Sequence, residues 1–230
     1  MLAVVHSCWV HGVEGVPVRV EVNVGPGLPM FTVVGLAAGA VRESKDRVLA
    51  ALAQTKIKLQ GRRVTVNLAP ADLPKSGSGF DLPIAVGLLA ALEAVSSKTL
   101  EDMAFAGELG LDGSIRSVRG ATALAMGAVQ GGVSQLVLPI GNVVEASGVP
   151  GVRVNGAGTL RELIAVLNGM RELGPAPVPV SRSRPRIPRL SDVMGQGFSK
   201  RALVVSAAGG HNLLMSGPPC SGKTMLARRL

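Results

Sequence analysis

The residues Gly217-Pro218-Pro219-Cys220-Ser221-Gly222-Lys223-Thr224 set two glycines, a lysine and a threonine at the spacing G-x-x-x-x-G-K-[ST]. That spacing lets a short loop wrap its backbone around a phosphate. Ahead of it, Asn212-Leu213-Leu214-Met215-Ser216 reads as a short buried strand. Behind it, Met225-Leu226-Ala227-Arg228-Arg229-Leu230 reads as a helix. Strand, glycine loop and helix form the setting in which this pattern works as a site. The loop amides then point at a β-phosphate, and the helix N-terminus adds partial positive charge. In that geometry Lys223 reaches the β- and γ-phosphates, and the Thr224 hydroxyl ligates a magnesium ion. The ligand implied is ATP with Mg²⁺.

Six residues follow Thr224. Hydrolysis also needs an acidic strand to hold magnesium and a residue to position water, and those six include no acid. The expectation is nucleotide-handling equipment that is begun and not finished, either a fragment of a longer protein or a truncated product. Weak nucleotide binding at best, and no turnover, is expected of these residues alone.

The elements that position this loop fall into two stretches joined by a linker. Residues 1–168 alternate strand-like and helix-like patterns. Residues 169–190 carry five prolines and read as an extended linker. Residues 191–230 open a second domain. In the first stretch Val18, Val20, Val22 and Val24 share one face of a strand, with Arg19, Glu21 and Asn23 on the other. Pro17 suits the entry of that strand. Residues 30–34 form a second strand and 64–68 a buried one. Residues 40–54 form an amphipathic helix, with Val41, Val48, Leu49 and Leu52 inward and Arg42, Lys45, Asp46 and Arg47 mostly outward. Residues 81–92 form an apolar helix, and Asp81 suits its N-terminal end. Strands are expected at 103–107 and 135–138, with a helix at 120–130. A last helix at 159–168 is capped by Gly169. The fold class is α/β with mixed sheet pairing.

Composition bounds the rest. The chain has 230 residues, 47% of them hydrophobic and 2% aromatic, so its core is aliphatic. Cys8 and Cys220 suggest no disulfide framework. The N-terminus lacks a basic signal-peptide region. The apolar run 82–92 is too short to cross a bilayer. A cytoplasmic protein without a membrane partner is expected. The net charge is +9, and the sequence pI is about 10.6. Arg182, Arg184, Arg186 and Arg189 occur with no acid between them. Both a solvated linker and a contact with DNA phosphates fit that cluster.

Several runs carry a family resemblance. Gly27-Leu28-Pro29-Met30-Phe31-Thr32-Val33-Val34-Gly35-Leu36, followed by Ala40-Val41-Arg42-Glu43-Ser44, resembles the start of the YifB/ComM family of magnesium-chelatase-like AAA+ ATPases. Asn67-Leu68-Ala69-Pro70-Ala71-Asp72-Leu73-Pro74-Lys75 and then Gly79-Phe80-Asp81-Leu82-Pro83-Ile84-Ala85 is similar to its most recognisable stretch. Gly107-Glu108-Leu109 and Ala207-Ala208-Gly209-Gly210-His211-Asn212-Leu213-Leu214 extend the likeness into the phosphate loop. Ala37-Ala38-Gly39 departs from the Pro and Asp expected in relatives, and Cys220 replaces the usual Gly. The resemblance implies a Lon-protease-like domain (the ribosomal protein S5 domain 2 fold) over residues 1–168, ahead of the start of a P-loop AAA+ module. It further implies a homo-hexameric, ATP-driven DNA helicase that promotes branch migration when transforming DNA is recombined. Chelatase chemistry is not implied.

Matched to Lon, the loop 74–79 puts Gly79 at the nucleophile position and Thr122 at the lysine position. Neither side chain can take its role, so peptidase activity is not expected. Lys75, Ser76 and Ser78 are adjacent in one loop, where side chains rarely align as a dyad. His6, Cys8 and His11 suggest a metal site, but a structural site normally closes with four ligands, and a packed strand is the expectation. Asp192-Val193-Met194-Gly195-Gln196 resembles the AAA+ segment that packs over adenine, and it also reads as a plain helix entry with Asp192 near the cap. Two other readings compete with the DNA motor. One is an AAA+ remodeller of protein partners, and the other is a truncated interaction module without enzymatic activity.

Overall fold

The computed structural model describes residues 1–37, 39–55, 57, 61–72, 75–172 and 188–230. The chain divides into two compact units, Met1–Val178 and Pro179–Leu230. Most of the linker expected at 169–190, including Arg182, Arg184 and Arg186, lies outside the described residues.

Unit 1 is a mixed α/β domain. Its strands are β1 (Leu2–His11), β2 (Glu14–Pro26), β3 (Met30–Val34), β4 (Arg62–Ala69), β5 (Met103–Phe105), β6 (Glu108–Leu109), β7 (Ile115–Arg116), β8 (Gln135–Pro139) and β9 (Arg153–Ala157). Its helices are α1 (Gly39–Arg42), α2 (Ser44–Ala53), α3 (Asp81–Ala91), α4 (Ser97–Leu100), α5 (Ala121–Gln130), α6 (Val143–Ala146) and α7 (Leu160–Leu167). The main sheet runs β3-β4-β2-β1-β5-β8-β9. The pairs β1–β2 and β2–β4 are antiparallel, and the other four are parallel. β6 and β7 form a separate two-stranded ribbon.

The alternation in β2 does what period two predicts: Val18, Val20, Val22 and Val24 are buried, and Arg19 and Asn23 are exposed. β2 starts earlier than expected, so Pro17 lies inside it, opposite Cys8 of β1. β4 pairs with β2 only from Arg19 onward, so Pro17 has a strand neighbour on one side alone. The valine face packs on α3, all eleven residues of which are buried. On the opposite face α5 meets the start of β2 where two glycines touch. A Cβ on Gly15 would lie 1.8 Å from the Ala123 carbonyl oxygen, and one on Gly127 would lie 2.8 Å from the Gly15 carbonyl carbon. The final helix ends as read. The Thr159 hydroxyl accepts the Glu162 amide at 3.1 Å. Gly169, at φ +70, and Met170 return amides to Val166 and Ala165, which satisfies the last carbonyls.

The single helix expected over 40–54 is instead two, α1 and α2, broken at Glu43. Ser44 explains the break. It is wholly buried and turns its hydroxyl to Asp81, and the turn closes with the Asp46 amide on the Glu43 carbonyl at 3.2 Å. Arg47, expected outward, is drawn in by the same carboxylate. Its Nε and Nη2 donate to the two Asp81 oxygens at 2.6 and 3.0 Å. The Leu109 amide adds a further bond at 3.2 Å. Burial pushes the Asp81 carboxyl above its ordinary value, against the pull of these donors.

Asp81→Ala strips a buried acceptor from three donors. Losing one partner of a fully buried ion pair costs about 3–5 kcal/mol. The Arg47 side chain is 22% exposed, so about 2–3 kcal/mol is expected here, read as a lower urea midpoint. Glu43→Ala, which touches Arg47 only at 4.0 Å from an exposed position, should cost less than about 0.5 kcal/mol. Equal shifts would refute the central role of Asp81.

Candidate nucleotide site

Unit 2 contains α8 (Gly197–Gly209) and α9 (Lys223–Ala227). Its small core is Val193, Leu203 and Leu226, with Leu190 and Met215 packed against it. Among the described residues of the unit these come from the segment 190–193, α8 and both arms of the glycine loop, so they hold those parts together. Leu226, one turn into α9, anchors the far end of the loop.

The expected strand over Asn212–Ser216 is absent. The segment is irregular and mostly exposed, with Leu214 92% accessible. A strand exists through its ladder, and the described residues of unit 2 supply no other strand to pair with. The helix expected from Met225 begins two residues earlier, at Lys223, and is one short element.

The loop itself takes a tight, ordered shape. Cys220 and Gly222 both adopt left-handed backbone, at φ +62 and +86. A side chain in that region costs about 1–2 kcal/mol, which makes glycine the natural occupant and Cys220 the strained one. Lys223 folds back across the loop. Its ammonium donates to the carbonyls of Gly217 and Pro218, both at 2.7 Å, and to the Ser221 hydroxyl at 3.3 Å. The amides of Cys220, Gly222, Lys223 and Thr224 have no acceptor among the described residues. A cation and several unengaged N–H groups therefore converge on one loop, the donor set a polyphosphate requires. Thr224 sits in the first turn of α9 with its side chain exposed, and among the described residues no three His, Cys, Asp or Glu groups gather to hold a metal. A magnesium ion carried in on phosphate oxygens fits Thr224 better than a dedicated protein cage would, because Mg²⁺ retains waters and takes few protein ligands.

The segment Asp192–Gln196 lies against this loop. Gln196 Nε2 donates to the Ser221 carbonyl at 3.4 Å. The Asp192 carboxylate accepts the Arg189 amide at 2.9 Å, so it closes a 3-10 turn at Leu190–Asp192, and the helix proper starts later, at Gly197. A cavity of about 430 Å³ adjoins the loop. Phe198, Leu213 and Leu214 line one side, and Gly217, Pro218 and Lys223 the other. Residue spacing alone gave no sign of the Gln196 contact or of the carbonyl partners of Lys223.

Unit 1 holds the loop that resembles the Lon serine loop. A cavity of about 330 Å³ opens beside it, bordered by Trp9, Ser78, Gly79, Glu108, Val118 and Arg119. Ser78 donates to Glu108, and the Ser76 carbonyl accepts Trp9 Nε1 at 3.2 Å. Buried Lys75 gives its ammonium to the Pro70 carbonyl, and burial lowers its affinity for the proton. Thr122 donates its hydroxyl to the Glu145 carbonyl at 2.9 Å. Ser78, the Ser76 carbonyl, Lys75 and Thr122 are thus each engaged by a partner in unit 1. On β1, His6 and Cys8 share one face, while the His11 and Trp9 rings lie tilted at 35° to each other with centres 5.1 Å apart. Burial pushes the Cys8 thiol up to about 12.

Comparisons with known proteins give the family. The family model described as subunit ChlI of magnesium chelatase matches residues 20–142, and a second, described as magnesium chelatase, subunit ChlI, matches residues 189–230. The chain belongs to the magnesium chelatase ChlI family. Within it the chain is of YifB/ComM type. It is 43% identical to competence protein ComM of Haemophilus influenzae over all of this chain and 46% of that protein. It is 41% identical to the uncharacterized protein YifB of Escherichia coli over all of this chain and 45% of that one. The chain thus spans just under half the length of these two relatives. A more distant match is Lon protease 1 of Sorangium cellulosum, 27% identical over 57% of this chain and 17% of the protease. Among the described residues no helix is long and apolar enough to cross a membrane.

Thiol labelling of the native chain tests the loop directly. Cys220 is exposed and Cys8 is buried, so iodoacetamide should modify Cys220 at least about tenfold faster, because access and thiolate fraction govern reactivity. Comparable rates, measured by mass spectrometry, would contradict this placement.

Proposed function

We propose that these residues are the N-terminal part of an ATP-dependent AAA+ motor that acts on DNA during recombination of transforming DNA. The carrying observation is the loop Gly217–Thr224, where the Lys223 ammonium and four unengaged amides converge. In this reading Gly217, Pro218, Pro219, Cys220, Ser221 and Gly222 cradle phosphate with their backbone. Lys223 exchanges its two carbonyl partners for β- and γ-phosphate oxygens, and the Thr224 hydroxyl takes a place on magnesium. The ion supplies charge neutralisation on those oxygens. Phe198, Leu213 and Leu214 offer the adjoining cavity an apolar wall for the base.

The domain reading follows the same lines. Residues 1–168 form a Lon-protease-like, S5 domain 2-like domain, residues 169–190 a linker, and residues 191–230 the start of the AAA+ module. The Lon match supports the first part. Gly79 and Thr122 at the dyad positions argue that this domain holds or presents partners and cleaves nothing. The name of the ComM relative supports the recombination setting. A homo-hexamer working in the cytoplasm completes the proposal.

Hydrolysis needs a carboxylate near magnesium and water. Asp192 is the one acid of residues 173–230, and it is engaged by the Arg189 amide. A polypeptide of residues 1–230 should therefore release no phosphate over multiple turnovers in a coupled phosphate assay. Sustained release would overturn this reading of the site.

Binding is tested separately. Mg-ATP should slow alkylation of Cys220 and leave Cys8 unaffected, because bound phosphates occupy the space beside that thiol. Lys223→Ala should abolish the protection and leave the urea midpoint within about 0.5 kcal/mol, since Lys223 touches loop carbonyls and none of the buried core. Protection that persists in the variant would remove Lys223 from the site.

A further inference from the structure

The charge of this chain is not spread over its two units. Residues 1–178 hold fifteen lysines and arginines against fourteen acids, while residues 179–230 hold nine against the single acid Asp192. Unit 2 thus carries +8 of the net +9. Arginines Arg182, Arg184 and Arg186 are counted from the sequence only. The described cations of unit 2 are Arg189, Lys200, Arg201, Lys223, Arg228 and Arg229.

Ion pairing differs as well. In unit 1 three arginines reach carboxylates: Arg47 meets Asp81, Arg116 meets Glu108, and Arg171 meets Glu162. Among the described residues of unit 2 no ion pair forms. Three of its cations instead use backbone carbonyls, Lys223 within its own loop and Arg229 and Lys200 elsewhere, which leaves their charge uncompensated. Arg229 donates from Nε to the Arg189 carbonyl at 3.0 Å and from Nη1 to the Met225 carbonyl at 2.6 Å. Lys200 donates to the Val193 carbonyl. The Arg229 Nε contact ties the end of α9 to the backbone at Arg189, so Arg189, Arg228 and Arg229 are brought near one another along the chain path. The side chains of Arg189 and Arg228 are exposed and take no partner among the described residues.

We infer that this arginine face of unit 2, rather than any surface of unit 1, is where the chain grips a nucleic-acid backbone. The inference rests on the proposed action on DNA and assigns the contact to named residues. Three features favour a phosphodiester strand over other anions. Arginine outnumbers lysine seven to two in unit 2, and the planar guanidinium fork matches phosphate oxygens. The cations are uncompensated by acids, so counterion release on binding is not offset within the unit. Phe198 is the single aromatic residue of unit 2, so stacking on bases contributes little, and a sequence-independent backbone contact is what the surface offers.

The test is salt-dependent binding of a fluorescein-labelled 30-base-pair duplex to the 230-residue chain, read by anisotropy. Each lost phosphate contact on duplex DNA should reduce the slope of log K against log salt by about 0.9. Arg189→Gln with Arg228→Gln should therefore flatten the slope by about 2 and weaken binding roughly tenfold or more at 0.1 M salt. Arg62→Gln with Arg63→Gln, on exposed β4 positions of unit 1, should change neither. Unchanged Cys220 labelling in the unit 2 variant checks that its loop remains folded. If the unit 2 variant binds like the parent, or the unit 1 variant weakens as much, the assignment is wrong while action on DNA stands. If the parent itself fails to bind duplex at 50 mM salt, action on DNA falls and takes the assignment with it. Competition by poly-glutamate as effective as by DNA at equal charge would overturn the choice of a phosphate backbone.

Discussion

Everything in unit 1 is arranged around a helix with no polar face. All eleven residues of α3 are buried, so the helix cannot lie on a surface and must be enclosed. The valine face of the sheet closes one side, and α2 closes another. The one charged group that enters with it, Asp81, must then be satisfied from within. A buried carboxylate without donors is far more expensive than the bonds it forms are worth. Ser44, Arg47 and the Leu109 amide supply those donors. That requirement breaks the preceding helix at Glu43, turns an arginine inward and fixes the β6 ribbon beside the loop 75–80. A single carboxylate thus decides local geometry in three elements far apart in sequence.

What was legible in the sequence follows from the range of the forces involved. Alternation in β2 and the Gly169 stop are decided by neighbours within a few residues, and each appears where its pattern places it. The outward reading of Arg47 failed because periodicity registers which face a residue occupies and not whether a buried acid lies within reach. The strand expected at Asn212–Ser216 failed for the converse reason. Its apolar run carries propensity, but a strand is a partnership, and the described residues of unit 2 include no second member. The glycine loop 217–224 was legible as a motif because its residues are consecutive. Its tie to Gln196 and the carbonyl partners of Lys223 were not, since nothing in composition or spacing encodes a contact across 25 positions.

The loop likened to that of Lon is held by structural hydrogen bonds. On the proposed match Gly79 and Thr122 would stand at the dyad positions, yet the surroundings are not slack. Ser78 is tied to Glu108, Trp9 to the Ser76 carbonyl, and Thr122 to the Glu145 carbonyl. These polar groups take part in the hydrogen bonding of the fold, as low-dielectric surroundings demand.

The self-bonded lysine of the phosphate loop has a consequence for affinity. With its ammonium already seated on the Gly217 and Pro218 carbonyls, the loop is a closed clasp whose latch is its own cation. An incoming anion does not order a floppy segment; it displaces a resident ligand. Each bond surrendered is worth about 1 kcal/mol net, so the clasp sets a threshold that a weakly charged anion fails to cross. On the proposed reading a triphosphate, which offers several oxygens to the lysine and the amides at once, would cross it. Selectivity for multiply charged ligands would then rest on the bonds Lys223 surrenders as much as on those it gains.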